Sequence, residues 1–565
     1  MWLRELHLRN FRKIEDLKIS FPRGLCVIVG ENNVGKTAII DALRFMLFSS
    51  RDYDSLRIHE DDFRNGTNFE PIEIYCTFTE LTEEDEVHFQ ECLVDIGDGK
   101  FEIRLSARIE FNETTRRANV KMWGGETEGG TLPSNLYDRI STVYLKPLRD
   151  PESGLSPGRY SQVSRLIDCL TTEEQHSDFE SIAESANNQI RQLPTVKQAR
   201  NDINTQMTML AGAELAQTTD LIFSDPKFNR IIAGLQPKID DLAYSLNGLG
   251  YNNLIFTSAT LGTLRQSSQY SFRSILIEEP EAHLHPQLQV LLLRYFAAAA
   301  KEREKNEIQV IASSHSPILV SQAPIDSVVS VYESDNNINT VSICNIEIDN
   351  TLKMKLQRFL DATRGELFFA RRILMVEGIA EALLIPELAR IAGGDLKEAA
   401  VTVLNVDGIN FNAFIPLFGE NKLKTPVVIL TDGDAGKIGD PPTATAQVLK
   451  GYEKYVSNLK VNLSEITFEH ELARSGILLS HMQKAFRTLH PTIGPTLDKL
   501  IEKLESNDAK ADAFYKIFKD TKTSKGLFAQ ELAYCLEEVH NNLNAVPEYI
   551  LDGLKFLNVI PIKKR

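Results

Sequence analysis

Residues 30–37 read Gly30-Glu31-Asn32-Asn33-Val34-Gly35-Lys36-Thr37, and they follow an unbroken apolar run, Leu25-Cys26-Val27-Ile28-Val29. The eight residues fit G-x-x-x-x-G-K-[ST], in which backbone N–H groups wrap phosphates, the lysine meets the terminal phosphates and the hydroxyl holds Mg²⁺. Context gives the pattern its weight. A buried strand precedes it and a helix-prone stretch, Ala38 to Phe48, follows, which is the strand, loop and helix of an α/β nucleotide-binding unit. Gly30, Asn32, Asn33, Val34, Gly35, Lys36 and Thr37 are the expected nucleotide contacts, with Thr37 also on the metal.

Upstream, apolar residues alternate with polar ones through Leu6, Leu8, Ile14, Leu17 and Ile19, which reads as a hairpin of two half-buried strands. Downstream, residues 70–143 read as short strands with turns. Residues 155–240 are polar, helical and rich in Gln, Asn and Ala, as an insertion would be. The α/β pattern resumes with Ile275-Leu276-Ile277-Glu278-Glu279-Pro280. A P-loop needs such an acidic pair at the end of another buried strand: Glu278 to position the metal and Glu279 to polarise water. The alternative is that two glutamates serve a helix dipole. A further strand, Ile308 to Ala312, runs into Ser313-Ser314-His315-Ser316, so His315 is a candidate γ-phosphate contact or a structural histidine. Glu281, His283 and His285 are spaced i, i+2, which would splay the histidines on a helix; a loop and helix start at a subunit contact is the reading taken.

A helix-prone connector, Leu352 to Arg364, leads to a second α/β alternation: strand Arg372 to Val376, helix Ala380 to Ile391, and strands Val401 to Asn405 and Val427 to Leu430. Helical residues from His481 to His540 close it. Glu377 stands at the first strand's tip, Glu381 one helical turn on, and Asp432 and Asp434 at i and i+2 after the last strand. Four carboxylates at the C-terminal edge of one parallel sheet occupy the place where α/β proteins keep their sites. Such a cluster repels itself unless divalent metal offsets it, and two ions would activate water and stabilise both oxygens in phosphodiester displacement. The alternative is a set of solvated strand-end turns.

The 565 residues correspond to about three or four domains. With 42% hydrophobic and 25% charged residues, and no stretch near the roughly 18 apolar residues of a spanning helix, disorder and membrane embedding are excluded. Charges at Arg4 and Glu5 argue against a signal peptide and for the cytoplasm. The six cysteines show no Cys-x-x-Cys pair, hence neither a disulfide framework nor a zinc site. A net charge of −16 excludes a general nucleic-acid coat. The acidity is uneven: residues 366–565 carry 24 Lys and Arg against 26 Asp and Glu, which leaves room there for a local basic surface.

Asn10-Phe11-Arg12, the P-loop, the Glu-Glu pair and the late histidine occur in the order found in the ABC-type ATPases of the RecF and SMC group, which the first part resembles. That resemblance implies a signature serine and glycine against a partner's nucleotide. The nearest match, Ser245-Leu246-Asn247-Gly248-Leu249-Gly250, departs from Leu-Ser-Gly-Gly, so Ser245 and Gly248 are carried over with closure of an ATP-driven dimer in question. The later part resembles the Toprim domain, marked by a Glu after the first strand and Asp-x-Asp after a later one. The combination resembles the OLD (overcoming lysogenization defect) nucleases over essentially the whole chain, most closely in residues 276–286 and 376–381.

That resemblance implies an α/β architecture: an ABC-type P-loop ATPase over 1–154 and 241–365, a helical dimerisation insertion over 155–240, and a Toprim nuclease domain over 366–565. It implies an ATP-binding endonuclease dependent on Mg²⁺, with Mn²⁺ or Ca²⁺ as alternatives. The enzyme would nick or cleave DNA in antiviral defence, as a homodimer or larger homo-oligomer, with a Gabija-type accessory protein or retron nucleic acid among the partners of relatives. It also implies a later metal carboxylate, Glu469 or else Glu471, and a basic residue for the charged phosphorane, Lys525, whose bland reading is a solvated lysine beside Lys516, Lys519 and Lys522. The rival from another class is a RecF- or SMC-like DNA-binding ATPase whose Toprim domain recognises without cutting; an RNA-directed nuclease is a third reading.

Overall fold

The computed structural model describes residues 1–49, 56–64, 69–147, 154–159, 161–239, 242–243, 247–266, 270–282, 284–300, 307–334 and 336–561. They form two compact units, one drawn mainly from residues 133–311 and the other from 2–46, 56–132 and 312–565. Ser245 and His283 lie outside the described residues.

In the larger unit the expected hairpin forms between Trp2–Phe11 and Ile14–Ser20, with Leu6 opposite Ile19 and Leu8 opposite Leu17. It continues into an antiparallel sheet through Ile72–Thr79, Lys100–Asn112 and Leu93–Gly97. The run Leu25–Val29 is a strand buried at every position, as its unbroken apolarity requires. It pairs in parallel with Val328–Ser334, which pairs antiparallel with Asn337–Ser342. The helix after the phosphate loop spans Lys36–Leu47.

The rest of this unit holds a four-stranded parallel sheet, in the order Val401–Asn405, Arg372–Val376, Val427–Thr431, Leu459–Leu463. The chain places its second strand on one side of the first and its third on the other. The direction of winding therefore reverses between Arg372–Val376 and Val427–Thr431, and a crevice opens at their carboxyl ends. Leu374, Val376, Val428 and Leu430 are buried, in a core with Leu384 and Leu388 of helix Ile379–Ile391 and with Phe514, Phe518 and Phe528 of the closing helices. Those closing helices are interrupted where polar caps fall: the hydroxyls of Ser506 and Ser524 accept the N–H of Ala509 and Leu527, starting Asn507–Asp520 and Lys525–Leu536. The connector helix spans Asn350–Phe359, shorter than its sequence suggests, because a 3₁₀ turn, Arg364–Phe369, takes over before the sheet begins.

In the smaller unit, Ile140–Leu145 and Phe272–Glu278 pair in parallel. Helices Gln162–Leu170, Glu173–Gln192, Pro194–Ala211 and Phe228–Ala233 fill the stretch read as an insertion. Helix Pro194–Ala211 buries none of its residues, and Ile182, Met209, Leu210, Leu215 and Phe223 stand exposed. His285 caps helix Pro286–Ala299, consistent with a helix start rather than a ligand set. No helix among the described residues is long and apolar enough to cross a membrane.

Candidate functional site

The phosphate loop has the backbone its glycines dictate. Gly30 has φ 153°, and a Cβ there would lie 2.0 Å from the Val331 carbonyl oxygen, so no side chain is admissible. Gly35 (φ 92°) and Asn33 (φ 69°) also adopt left-handed conformations. Lys36 is 4% exposed, and its Nζ donates to the carbonyls of Gly30 at 2.6 Å and Glu31 at 2.5 Å. Asn32, Asn33 and Thr37 are exposed, and Val34 is buried. His315 is partly exposed just past strand Gln309–Ser314, and Gly248 is exposed one residue before helix Leu249–Gln266.

In the other unit, Glu278 ends strand Phe272–Glu278 and is buried, its Oε1 accepting the Tyr144 hydroxyl at 2.7 Å. Glu279 follows in a left-handed conformation (φ 46°) and is partly exposed. Glu278 is thus buried on the strand, and Glu279 stands partly exposed in the turn that follows it.

The second constellation lies in the crevice of the parallel sheet. Glu377 follows the first strand, and its Oε1 accepts the Asp432 N–H at 2.9 Å and the Thr431 hydroxyl. One acidic strand tip is thereby bonded to the other. Asp432 Oδ1 accepts the Ser464 hydroxyl at 3.0 Å and the N–H of Phe468 at 2.8 Å, the latter from the first turn of helix Phe468–Arg474. Glu381 is buried in the first turn after Gly378, where a Cβ would stand 3.2 Å from Glu381 Oε2. Glu469 is 2% exposed and pairs with Lys525 Nζ at 3.0 and 3.2 Å.

Electrostatics bind these groups into one cluster. Burial, then the charges of Glu377 and Glu469, hold the Asp432 carboxyl well above the ordinary range. Burial and the charge of Glu469 likewise raise Glu381. Burial acts to lower the Lys525 ammonium, but the carboxylates of Glu469, Asp432 and Glu381 outweigh it and raise its pKa. Lys525, itself half exposed, is the cluster's counter-charge through its pairing with Glu469; Lys516, Lys519 and Lys522 are exposed.

Glu469 and Glu471 separate by direction: Glu471 turns to Arg474 at 3.6 Å, while Glu469 faces Lys525. Asp434 does not follow the i, i+2 argument. The strand ends at Thr431 and Asp434 has φ 50°, so the alternation stops before Asp434, which is exposed. The reversal is enforced by Gly433, where a Cβ would lie 2.2 Å from the Ser464 carbonyl oxygen. Gly433→Ala is expected to cost about 1–3 kcal/mol or more through overpacking, measured by chemical denaturation; an unchanged midpoint would show that the turn has room.

Among the described residues, no three acidic, histidine or cysteine side chains converge closely enough to hold an ion as they stand. Glu377 is tied to the neighbouring strand tip and Glu469 to Lys525, so an ion would have to draw Glu469 off its lysine. The donor set is all oxygen, as hard divalent cations require, and Glu469 is buried with both carboxylate oxygens facing the Lys525 ammonium. In its chemistry the set fits such an ion.

Three contributors had no motif to announce them. Ser464 follows strand Leu459–Leu463, whose alternation of Leu459, Val461 and Leu463 was the available signal. Thr431 was legible only as the end of its strand, and Tyr144 not at all.

Residues 1–121 and 159–320 match the description "AAA ATPase domain", and residues 368–434 match "Overcoming lysogenization defect protein-like, TOPRIM domain". "Endonuclease GajA" of Bacillus cereus (strain VD045) is 23% identical over 483 residues, covering 82% of this chain and 80% of that protein. "OLD nuclease" of Thermus scotoductus is 27% identical over 459 residues, covering 78% and 83%. The solved C-terminal region of the Burkholderia pseudomallei OLD protein is 29% identical, covering 34% of this chain and 98% of that one, with a TM-score of 0.29. With an ATPase description matched over half its length and the OLD-like TOPRIM description after it, the chain belongs to the OLD family, an ABC-type AAA ATPase joined to a Toprim domain.

Proposed function

We propose that the chain is an ATP-binding, divalent-metal-dependent nuclease that nicks or cleaves DNA. The observation carrying this is the crevice cluster: Glu377, Glu381, Asp432 and Glu469 gathered around Lys525 at the reversal point of a parallel sheet. A pure recognition surface for phosphates would not concentrate buried negative charge there. The names of its relatives, endonuclease and nuclease, support the same reading.

Bound divalent metal would supply Lewis-acid charge and a nucleophilic water at neutral pH. Asp432, held at Oδ1 by Ser464 and Phe468, would offer its other carboxylate oxygen to an ion. Glu381, Glu469 and Asp434 would be the further oxygen ligands. Lys525 would meet the charge that develops on the phosphate. Lys36, Thr37, Glu278, Glu279 and His315 would handle nucleotide and Mg²⁺, and nucleotide would regulate cutting, since phosphodiester hydrolysis is downhill without it. The exposed apolar residues of the helical insertion suit a second copy of the chain. A place in antiviral defence belongs to this proposal.

The deciding experiment incubates the protein with supercoiled plasmid and Mg²⁺ or Mn²⁺, with and without ATP, beside the Asp432→Ala, Asp434→Ala double variant. Metal-dependent nicking lost in the variant supports the reading. Intact nucleotide and DNA binding without cutting in any lane replaces it with a binding ATPase. Ser464→Ala is expected to weaken metal activation by about 10- to 100-fold, as loss of a group orienting a ligand does. A metal titration unchanged from wild type would show that Phe468 N–H alone positions Asp432.

A further inference from the structure

The phosphate loop and the root of the C-terminal sheet meet at one ion pair. Arg371 Nε lies 2.9 and 2.7 Å from the two oxygens of Glu31, the second residue of the loop. Arg371 immediately precedes strand Arg372–Val376, at whose other end stands Glu377. A second tie runs alongside. Gly30 abuts the Val331 carbonyl, and the neighbouring Tyr332 hydroxyl donates to the Lys422 carbonyl at 2.9 Å, in the segment that leads into the strand tipped by Asp432. The strand tipped by Glu377 is therefore anchored at its root to the phosphate loop itself, and the segment before the strand tipped by Asp432 to the neighbour of the residue that Gly30 abuts. Between these anchors lies a cavity of about 450 Å³ lined by Glu31, Tyr332, Glu333, Arg371, Arg372 and Lys424, which gives the anchoring side chains space to change partners.

The loop has a reason to move. Lys36 spends its ammonium on the carbonyls of Gly30 and Glu31. A phosphate, which carries full negative charge where the carbonyls carry none, would compete for that ammonium as an ion pair. The two carbonyls would then turn to other donors, and the peptide carrying Glu31 would turn with them.

We propose that the Glu31–Arg371 pair is a switch: phosphate bound at the loop loosens it and shifts the strand tipped by Glu377 against the strand tipped by Asp432. This rests on the nuclease reading above and names how nucleotide regulates that site. The pair is half exposed, so its effect on cutting is modest, about two- to fivefold on the scale of exposed ion pairs. A nucleotide can move the equilibrium only by its differential affinity for the two arrangements.

The test uses the full chain, supercoiled plasmid, Mg²⁺ and a non-hydrolysable ATP analogue, with a fluorescent ATP analogue measuring binding in parallel. Arg371→Ala is expected to shift cutting without nucleotide toward the wild-type rate with nucleotide. It should also shrink the nucleotide response by about two- to fivefold, with binding of the fluorescent analogue retained. The charge-swapped Glu31→Arg, Arg371→Glu double variant should restore the response, which a general loss of stability would not. If that variant does not fold, Arg371→Lys, which keeps the charge but loses the guanidinium's hold on both oxygens, should fall between wild type and Arg371→Ala. A full nucleotide response in Arg371→Ala overturns the switch, as does a folded swap without recovery. Wild-type cutting indifferent to nucleotide that binds overturns it too, leaving the nuclease reading intact. Wild type that shows no metal-dependent cutting, or no nucleotide binding, overturns that reading itself and the switch with it.

Discussion

Asp432→Ala is expected to lower metal-dependent cutting by well over about a hundredfold, because losing a group that merely orients a ligand already costs about 10- to 100-fold. Asp432 is the most connected carboxylate of the crevice: its N–H holds Glu377, its Oδ1 is held by Ser464 and Phe468, it feels the charge of Glu381, and its own charge reaches Lys525. The same substitution should stabilise the protein in chelator, since a buried carboxylate repelled by Glu377 and Glu469 is removed.

The sign of the pH dependence follows. The folded carboxyl titrates well above its ordinary value of 3.8. Its contribution to stability is thus fully present below that value and is lost as pH rises through the folded pKa. In EDTA, the melting temperature of wild type relative to Asp432→Asn should fall as pH rises from the ordinary carboxylate range toward neutrality, and Mg²⁺ should reverse the trend. A difference that stays constant with pH would show that the carboxyl is not destabilised by its neighbours.

Lys36→Ala is expected to weaken nucleotide binding by roughly 10- to 150-fold. A hydrogen bond to a charged group is worth about 1.5–3 kcal/mol, and each 1.4 kcal/mol is a factor of about ten. Lys36 is nearly fully buried, with its ammonium gathered between two loop carbonyls. Metal-dependent cutting without nucleotide should survive, because the ammonium of Lys36 is held by the carbonyls of its own loop. Titration of a fluorescent ATP analogue checks the first statement and plasmid nicking the second. Wild-type affinity in the variant would remove the loop from nucleotide binding.

Much of this protein can be read along the chain where chemistry is local. The phosphate loop needs glycines, a lysine and a hydroxyl within eight residues, and the strand before it needs to be apolar throughout; both requirements are visible in residues 25–37. The strand-tip carboxylates Glu377 and Asp432 were equally legible, because a strand end places the next side chain at the sheet's edge. Asp434 was misplaced because period-2 alternation was extended past Thr431, where Gly433 and a left-handed Asp434 turn the chain aside. Glu469 and Glu471 were inseparable in sequence, since two residues apart on a helix are different faces and only packing decides which face meets the sheet.

By itself, then, the sequence determined the buried strand before the phosphate loop, the loop and the acidic strand tips, because each is written in consecutive residues whose hydrogen-bonding and burial needs are met within one turn or one strand. Tertiary structure alone decided that Ser464 and Phe468 orient Asp432, that Lys525 rather than Lys522 balances the cluster, and that Arg371 reaches back some 340 positions to Glu31. Those contacts depend on strand order and helix packing, which arise from how whole elements bury their apolar faces against one another, and no local pattern carries that information.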